Sequence, residues 1–113
     1  MVNVKPAVYT ALCQVDNLEN HVTDVYPTDW SDLPAVQYTL ESNRERTTLL
    51  DGTEADSYIR IRIDVWNDSS TSNICANVTT KMKSLGYVRT DYMDVPDPSG
   101  LKHSLMRFEI IKE

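Results

Sequence analysis

Residues Tyr58 to Ser70 read "YIRIRIDVWNDSS". Ile59, Ile61, Ile63 and Val65 alternate with Arg60, Arg62 and Asp64, and Trp66 falls on the charged side of the alternation. A period of two sends successive side chains to opposite faces of a pleated strand, so the stretch predicts a strand with one aliphatic and one charged face. The aliphatic face needs a covering layer, and the charged face is left for water or another chain. The period then changes. Asp68, Ser69, Ser70 and Thr71 are all good N-caps, and Ile74, Val78, Met82 and Leu85 recur at helical spacing. Gly86 stands where a left-handed C-cap would end that helix, with Lys81 and Lys83 complementing the dipole near it.

Working outward, Ala35 to Glu41 alternates again, with Val36, Tyr38 and Leu40 on one face and Gln37, Thr39 and Glu41 on the other. Before it, Val22 to Pro27 ("VTDVYP") predicts a short strand and Thr28 to Pro34 ("TDWSDLP") a loop. Lys5 to Val15 predicts a first helix, with Pro6 tolerated in its first turn and Val8, Leu12 and Val15 on its apolar stripe. Downstream, Tyr87 to Val95 predicts a strand and Pro96 to Gly100 ("PDPSG") a turn. Leu101 to Ile111 predicts a closing strand with Met106, Phe108 and Ile110 inward and Arg107 and Glu109 outward. The order α-β-β-β-α-β-β predicts a single α+β domain over residues 1–113, a mostly antiparallel sheet of about five strands with two helices packed on one face. Ser42 to Ala55 is polar, carries the turn signal Asp51-Gly52, and is expected to be a long hairpin arm. Leu49 and Leu50 at its centre leave two readings open, a solvated loop or an arm that buries them on a neighbouring subunit.

The chemistry the sequence excludes is extensive. At 113 residues, 41% hydrophobic and 25% charged, the chain has the makeup of a soluble globular domain. A net charge of −6 and a pI near 4.8 argue against sequence-independent DNA binding, and fit a surface that DNA passes without sticking. Cys13 and Cys75 form no CxxC and read as small apolar residues in a reducing compartment. The opening "MVNVKPAVYTALCQVDN" lacks a signal-peptide pattern, and no apolar run approaches the roughly 20 residues that span a bilayer. Asn67-Asp68-Ser69 and Asn77-Val78-Thr79 therefore read as chance sequons. No glycine pattern makes a nucleotide loop. Asp91 and Asp94 fall on opposite strand faces and so make no metal cluster with Asp97. Asp29 and Asp32 are expected to hydrogen-bond within their loop. The aromatics follow no basic stripe and read as core and interface. No catalytic motif contains His21 or His103, so no enzyme, cofactor or metal is expected; an enzyme would need a pocket where one of them meets a carboxylate or cysteine.

In "VYPTDWSDLPAVQYTLES", "IRIDVWNDSSTSN" and "MKSLGY", the succession Tyr26-Pro27, Leu33-Pro34, Asp64-Val65-Trp66 and Leu85-Gly86 resembles the tail-terminator (tail-completion, minor tail) proteins of long-tailed phages and prophages. The resemblance runs from the first helix to the last strand. It implies a non-enzymatic virion protein: a six-membered homo-oligomeric ring on the head-proximal end of the tail tube, stopping tube polymerisation and offering a docking surface for the head. Its implied partners are further copies of itself, the tail tube protein and a head-completion or connector protein. DNA would pass through the lumen without specific binding, and no membrane is involved. The implied location is the virion tail, after assembly in the host bacterial cytoplasm. On this reading Arg60, Arg62, Asp64 and Trp66, with Arg44, Arg46, Leu49 and Leu50 of the arm, are the candidate subunit-interface or lumen residues. The competing reading of Arg60 and Arg62 is that they solvate a sheet face. Competing functions are another head–tail connector component, or a small α+β module unrelated to phage that binds a protein or small ligand.

Overall fold

Strand periodicity and helix periodicity together build one sheet and one helical layer. The computed structural model describes the backbone of residues 3–16, 18–48 and 54–112 and, within these, every side chain except those of residues 45–48, 54 and 55. In chain order the elements are α1 (Lys5–Cys13), β1 (Val22–Thr23), β2 (Ala35–Thr48), β3 (Glu54–Asn67), α2 (Ser72–Ser84), β4 (Val88–Val95) and β5 (Lys102–Lys112). The five strands form one sheet in the order β1-β2-β3-β5-β4. Only the short β1–β2 pair is parallel; β2–β3, β3–β5 and β5–β4 are antiparallel. This is the expected α+β fold.

The central register explains the core. Val36 lies opposite Val65, Tyr38 opposite Ile63 and Leu40 opposite Ile61. On the other side of β3, Ile59, Ile61 and Ile63 face Ile110, Phe108 and Met106. These aliphatics share one face and pack with Val8 and Leu12 of α1 and Cys75, Val78 and Met82 of α2. Ile59, Ile61, Ile63, Val65, Met106 and Phe108 are completely buried. Removing a side chain of this size from water contributes about 1.5–3 kcal/mol, so this layer dominates the stability.

Three boundaries differ from expectation, each for a local reason. α1 stops at Cys13 rather than Val15, because Gln14 and Val15 donate to Ala11 and Leu12 instead of continuing the helical ladder. That tighter bonding commonly closes a helix end. β1 ends at Thr23 rather than Pro27, because the Thr23 hydroxyl takes the Val25 N–H and turns the chain out of the sheet. The strands on either side of the expected hairpin arm run further into it than Glu41 and Tyr58, since β2 extends to Thr48 and β3 begins at Glu54. Strands of 14 residues at about 3.3 Å each span about 46 Å, most of the long axis of 53 Å.

α2 ends as its sequence predicts. Gly86 has a φ of +97°, its N–H reaches the Lys83 carbonyl at 2.9 Å, and the Tyr87 N–H reaches Met82 at 3.1 Å. This pair of bonds is a Schellman motif. The buried side chains of Met82 and Tyr87 supply the hydrophobic contact that accompanies it. Among the described residues, no helix is long and apolar enough to cross a membrane.

Candidate functional site

The face opposite the helices carries Tyr58, Arg60, Arg62, Asp64 and Trp66 of β3, and register selects their neighbours. Gln37 lies opposite Asp64, Thr39 opposite Arg62, and Ser42 opposite Arg60 on β2. On β5 the partners are Ile111, Glu109, Arg107, Leu105 and His103. Arg62 thus faces Arg107 directly, a like-charge pair that destabilises a sheet unless each finds an anion. Both do. Arg62 grips Asp64 two residues along its own strand, with Nε–Oδ1 at 2.9 Å and Nη2–Oδ2 at 3.0 Å. That two-pronged contact raises the Arg62 pKa further. Arg107 instead spans its neighbours, reaching Glu41 at 3.1 Å and Asp91 of β4 at 3.4 Å.

Glu41 also takes Arg60 at 3.2 Å, so one carboxylate serves two guanidinium groups. Its place follows from a break in the β2–β3 register between Leu40 and Ser42. A bulge of this kind inserts an extra residue and re-aims its side chain. Beyond it the alternation resumes with Arg44 opposite Tyr58, and the Arg44 guanidinium sits 4.8 Å from the Tyr58 ring centre. The Tyr58 hydroxyl donates to Glu109. The result is a belt of both charge signs four strands wide, with Arg60 on β3 and Arg107 on β5 flanked by the carboxylates of Glu41 on β2 and Asp91 on β4.

One end of the belt is roofed by aromatics. Trp66 stacks on His103 at 4.4 Å and 20°, and the β1–β2 loop lays Tyr26 and Trp30 edge-on against Trp66 at 5.8 and 5.4 Å. Trp66 is consequently only 2% exposed. His103 Nε2 is buried without a hydrogen-bond partner among the described residues, 3.7 Å from Asp64 Oδ2. A cleft of about 380 Å³ opens beside them, lined by Tyr26, Glu41, Arg62, Asp64, Asp97 and His103 among others.

The contact on which an enzyme reading depended, histidine to carboxylate, is therefore present, and His21 Nδ1 similarly lies 3.6 Å from Asp32. No serine or cysteine among the described residues lines the cleft beside His103, and Thr39 is its one aliphatic hydroxyl among them. Asp64 is committed to Arg62. No three His, Cys, Asp or Glu side chains among the described residues gather as metal ligands. What the arrangement can do is present fixed charges of both signs on a sheet face.

Of the expected interface residues, Arg60 and Arg62 are accessible, with side chains 42% and 36% exposed, and Arg44 is exposed at the start of the ribbon. Asp64 and Trp66 share their face but are covered by the chain itself, so they support the surface rather than form it. Leu49 and Leu50, and the side chain of Arg46, lie outside the described residues. Missing from the expected set are Glu41, Asp91, His103, Tyr26 and Trp30. Arg107 was read as outward; its two carboxylate partners depend on strand order and a bulge that no local pattern announces. Asp29 does the turn work foreseen for it, accepting from the Ser31 N–H and hydroxyl, which lowers its pKa. Comparison with protein-family models and with curated proteins finds no match for this chain.

Proposed function

We propose that this chain is the ring-forming subunit of a phage tail terminator, which caps the head-proximal end of the tail tube, ends tube polymerisation and offers the head its docking surface. The observation that carries the reading is the uncovered sheet face: Arg60, Arg62, Arg107, Glu41 and Asp91 form a two-sign lattice on which, among the described residues, no helix packs. A lattice of fixed charges of both signs suits register-setting contact with an identical copy better than capture of a polyanion. The net charge of −6 supports a lumen that DNA traverses without being held. The element order and the helices on a single face accord with the resemblance over the whole chain. On this reading the protein works in the virion tail, and its partners are its own copies, the tube protein and a head-side connector.

Solution mass by light scattering, across protein concentration and with purified tail tubes, tests the reading. A six-subunit mass, or a monomer that closes into rings on tube ends, is the expected result. Reversing charge at Arg60→Glu and Arg62→Glu together should reduce the assembled mass. A persistent monomer indifferent to tubes, or an assembly unmoved by the double reversal, overturns the role of this face. The cleft beside His103 favours the second reading, a small ligand-binding module, which a persistent monomer would advance.

A further inference from the structure

Beyond the charged belt, the β1–β2 loop and the β4–β5 turn face each other across a cleft of about 350 Å³, lined by Tyr26, Trp30, Asp97, Ser99 and Leu101, which adjoins the cleft beside His103 and shares Tyr26 and Asp97 with it. Tyr26 and Trp30 meet at 5.4 Å with their rings inclined at 67°, which makes a corner rather than a flat wall. Trp66 backs that corner from the sheet, edge-on to both rings. Tyr26 is 62% exposed, unusually open for an aromatic so well anchored. Opposite stands Asp97, the one charged side chain among the described residues lining the cleft. Its Oδ1 takes the Ser99 hydroxyl at 2.7 Å and the Ser99 N–H at 2.9 Å. These bonds fix the carboxylate in place and lower its pKa, with smaller contributions from His103 and the Trp66 indole.

Two aromatic rings and an ionised carboxylate around a small apolar-sided cleft have a definite chemical preference. Ring faces carry negative electrostatic potential, and they hold cations that are large and weakly hydrated. A carboxylate within the same cleft excludes anions and adds Coulomb attraction. The volume is close to the lower end of small-ligand pockets, about 300 Å³, so it suits one head group and not a nucleotide. Leu101 offers apolar contact to alkyl groups on such a cation. The overall charge of −6 raises the local concentration of cations further.

We propose that this cleft binds an organic cation, a quaternary ammonium or a guanidinium group, between the rings of Tyr26 and Trp30 and the carboxylate of Asp97. The cation could be delivered as a free small molecule or as the side chain of a partner protein. The site does not depend on ring formation, because every lining residue comes from one copy.

The chain reports on the site directly: its only two tryptophans, Trp30 and Trp66, both belong to this cluster. Intrinsic emission of the unaltered protein should change saturably with millimolar choline and far less with its uncharged carbon isostere, dimethylbutanol. A capped tripeptide with a central arginine, set against the same peptide with citrulline, separates the sources. Choline alone binding assigns the site to a free cation; tighter binding of the arginine peptide assigns it to a partner side chain. Asp97→Asn should weaken the response about tenfold. Equal responses to choline and dimethylbutanol, no response to any cation, or full binding by a folded Asp97→Asn variant would each overturn the proposal.

Discussion

Arg107 of β5 reaches over β3 to place its Nε 3.1 Å from the carboxylate of Glu41 on β2. The pair ties together strands that are not neighbours, and Arg60 on the intervening strand shares the same carboxylate at 3.2 Å. Glu41 is only 19% exposed, so its contacts are poorly screened compared with an open pair such as Lys5–Asp24, whose side chains are 39% and 45% exposed. Glu41→Gln removes the charge that two guanidinium groups on adjacent strands share, and leaves Arg107 with Asp91. We expect it to cost about 1–2 kcal/mol in urea unfolding, while Asp24→Asn costs less than about 0.5 kcal/mol. Equal effects from the two would mean that the belt contributes to surface pattern and not to stability.

The end of α2 gives a sharper test. A left-handed φ of +97° at Gly86 is strained for any residue with a Cβ, and a methyl there would also meet Ile110 Cδ1 at 3.2 Å. Gly86→Ala should therefore destabilise by about 1–2 kcal/mol. Gly100, at φ +86°, has no atom near its Cβ position. Gly100→Ala should show the backbone cost alone and fall below Gly86→Ala. The difference between the two unfolding midpoints measures the steric part, and a larger loss at Gly100 would contradict the assignment.

The residues that fix the core were legible because burial imposes a period on the sequence. Ile59, Ile61, Ile63 and Val65 on β3, Met106 and Phe108 on β5, and the stripe of α2 all repeat with the spacing of their element; all are buried except Ile74 and Leu85 at the ends of the α2 stripe, which are partly so. The strand extension over residues 42–48 was not legible as strand for the same reason. It pairs with β3 alone, and register breaks at Leu40/Ser42, Glu45/Thr47 and Thr47/Thr48 interrupt its alternation. The site was half visible. Parity placed Arg60, Arg62, Asp64 and Trp66 on one face. The covering of Trp66 by Tyr26 and Trp30, and the convergence of Arg107 on Glu41, are contacts between distant segments that periodicity does not encode.

Tyr87 predicts a pH dependence. Its ring is 3% exposed, its hydroxyl is buried without a partner among the described residues, and burial pushes its pKa up to about 12 from 10.0. Because the folded value is raised, the neutral phenol contributes its full stability below the unfolded pKa near 10. That contribution falls as pH rises from there to about 12, by roughly 1 kcal/mol per pH unit at most. Burial also raises Tyr38 and Tyr92, so the test is a difference. Tyr87→Phe should unfold with a shallower loss of stability over that window. At neutral pH it should be unchanged or gain up to about 1 kcal/mol, since a buried hydroxyl with no partner is removed. Parallel pH profiles for the two proteins would show that folding does not raise the Tyr87 pKa and would overturn this prediction.

The start of α2 is held by a relay instead of its own cap. Thr71 stands at the N-cap but makes no side-chain cap bond. Its hydroxyl lies 2.7 Å from Ser104 Oγ, and Ser104 donates to Asp94 Oδ1 at 2.9 Å. A serine has one hydroxyl proton. If Ser104 gives it to Asp94, then Thr71 must be the donor to Ser104, which orders the relay from the helix start through β5 to β4. Ser104 is completely buried and Thr71 is 5% exposed, while Asp94 at the far end of the relay is exposed. Ser104→Ala leaves the Thr71 hydroxyl without its acceptor and should cost about 1–3 kcal/mol. Removing the partner as well, in Thr71→Val with Ser104→Ala, should recover part of that loss, because both ends of the broken bond are then apolar. A double-mutant cycle in urea measures the coupling. Strict additivity would mean that the hydroxyls act independently and that the helix start is fixed by packing alone.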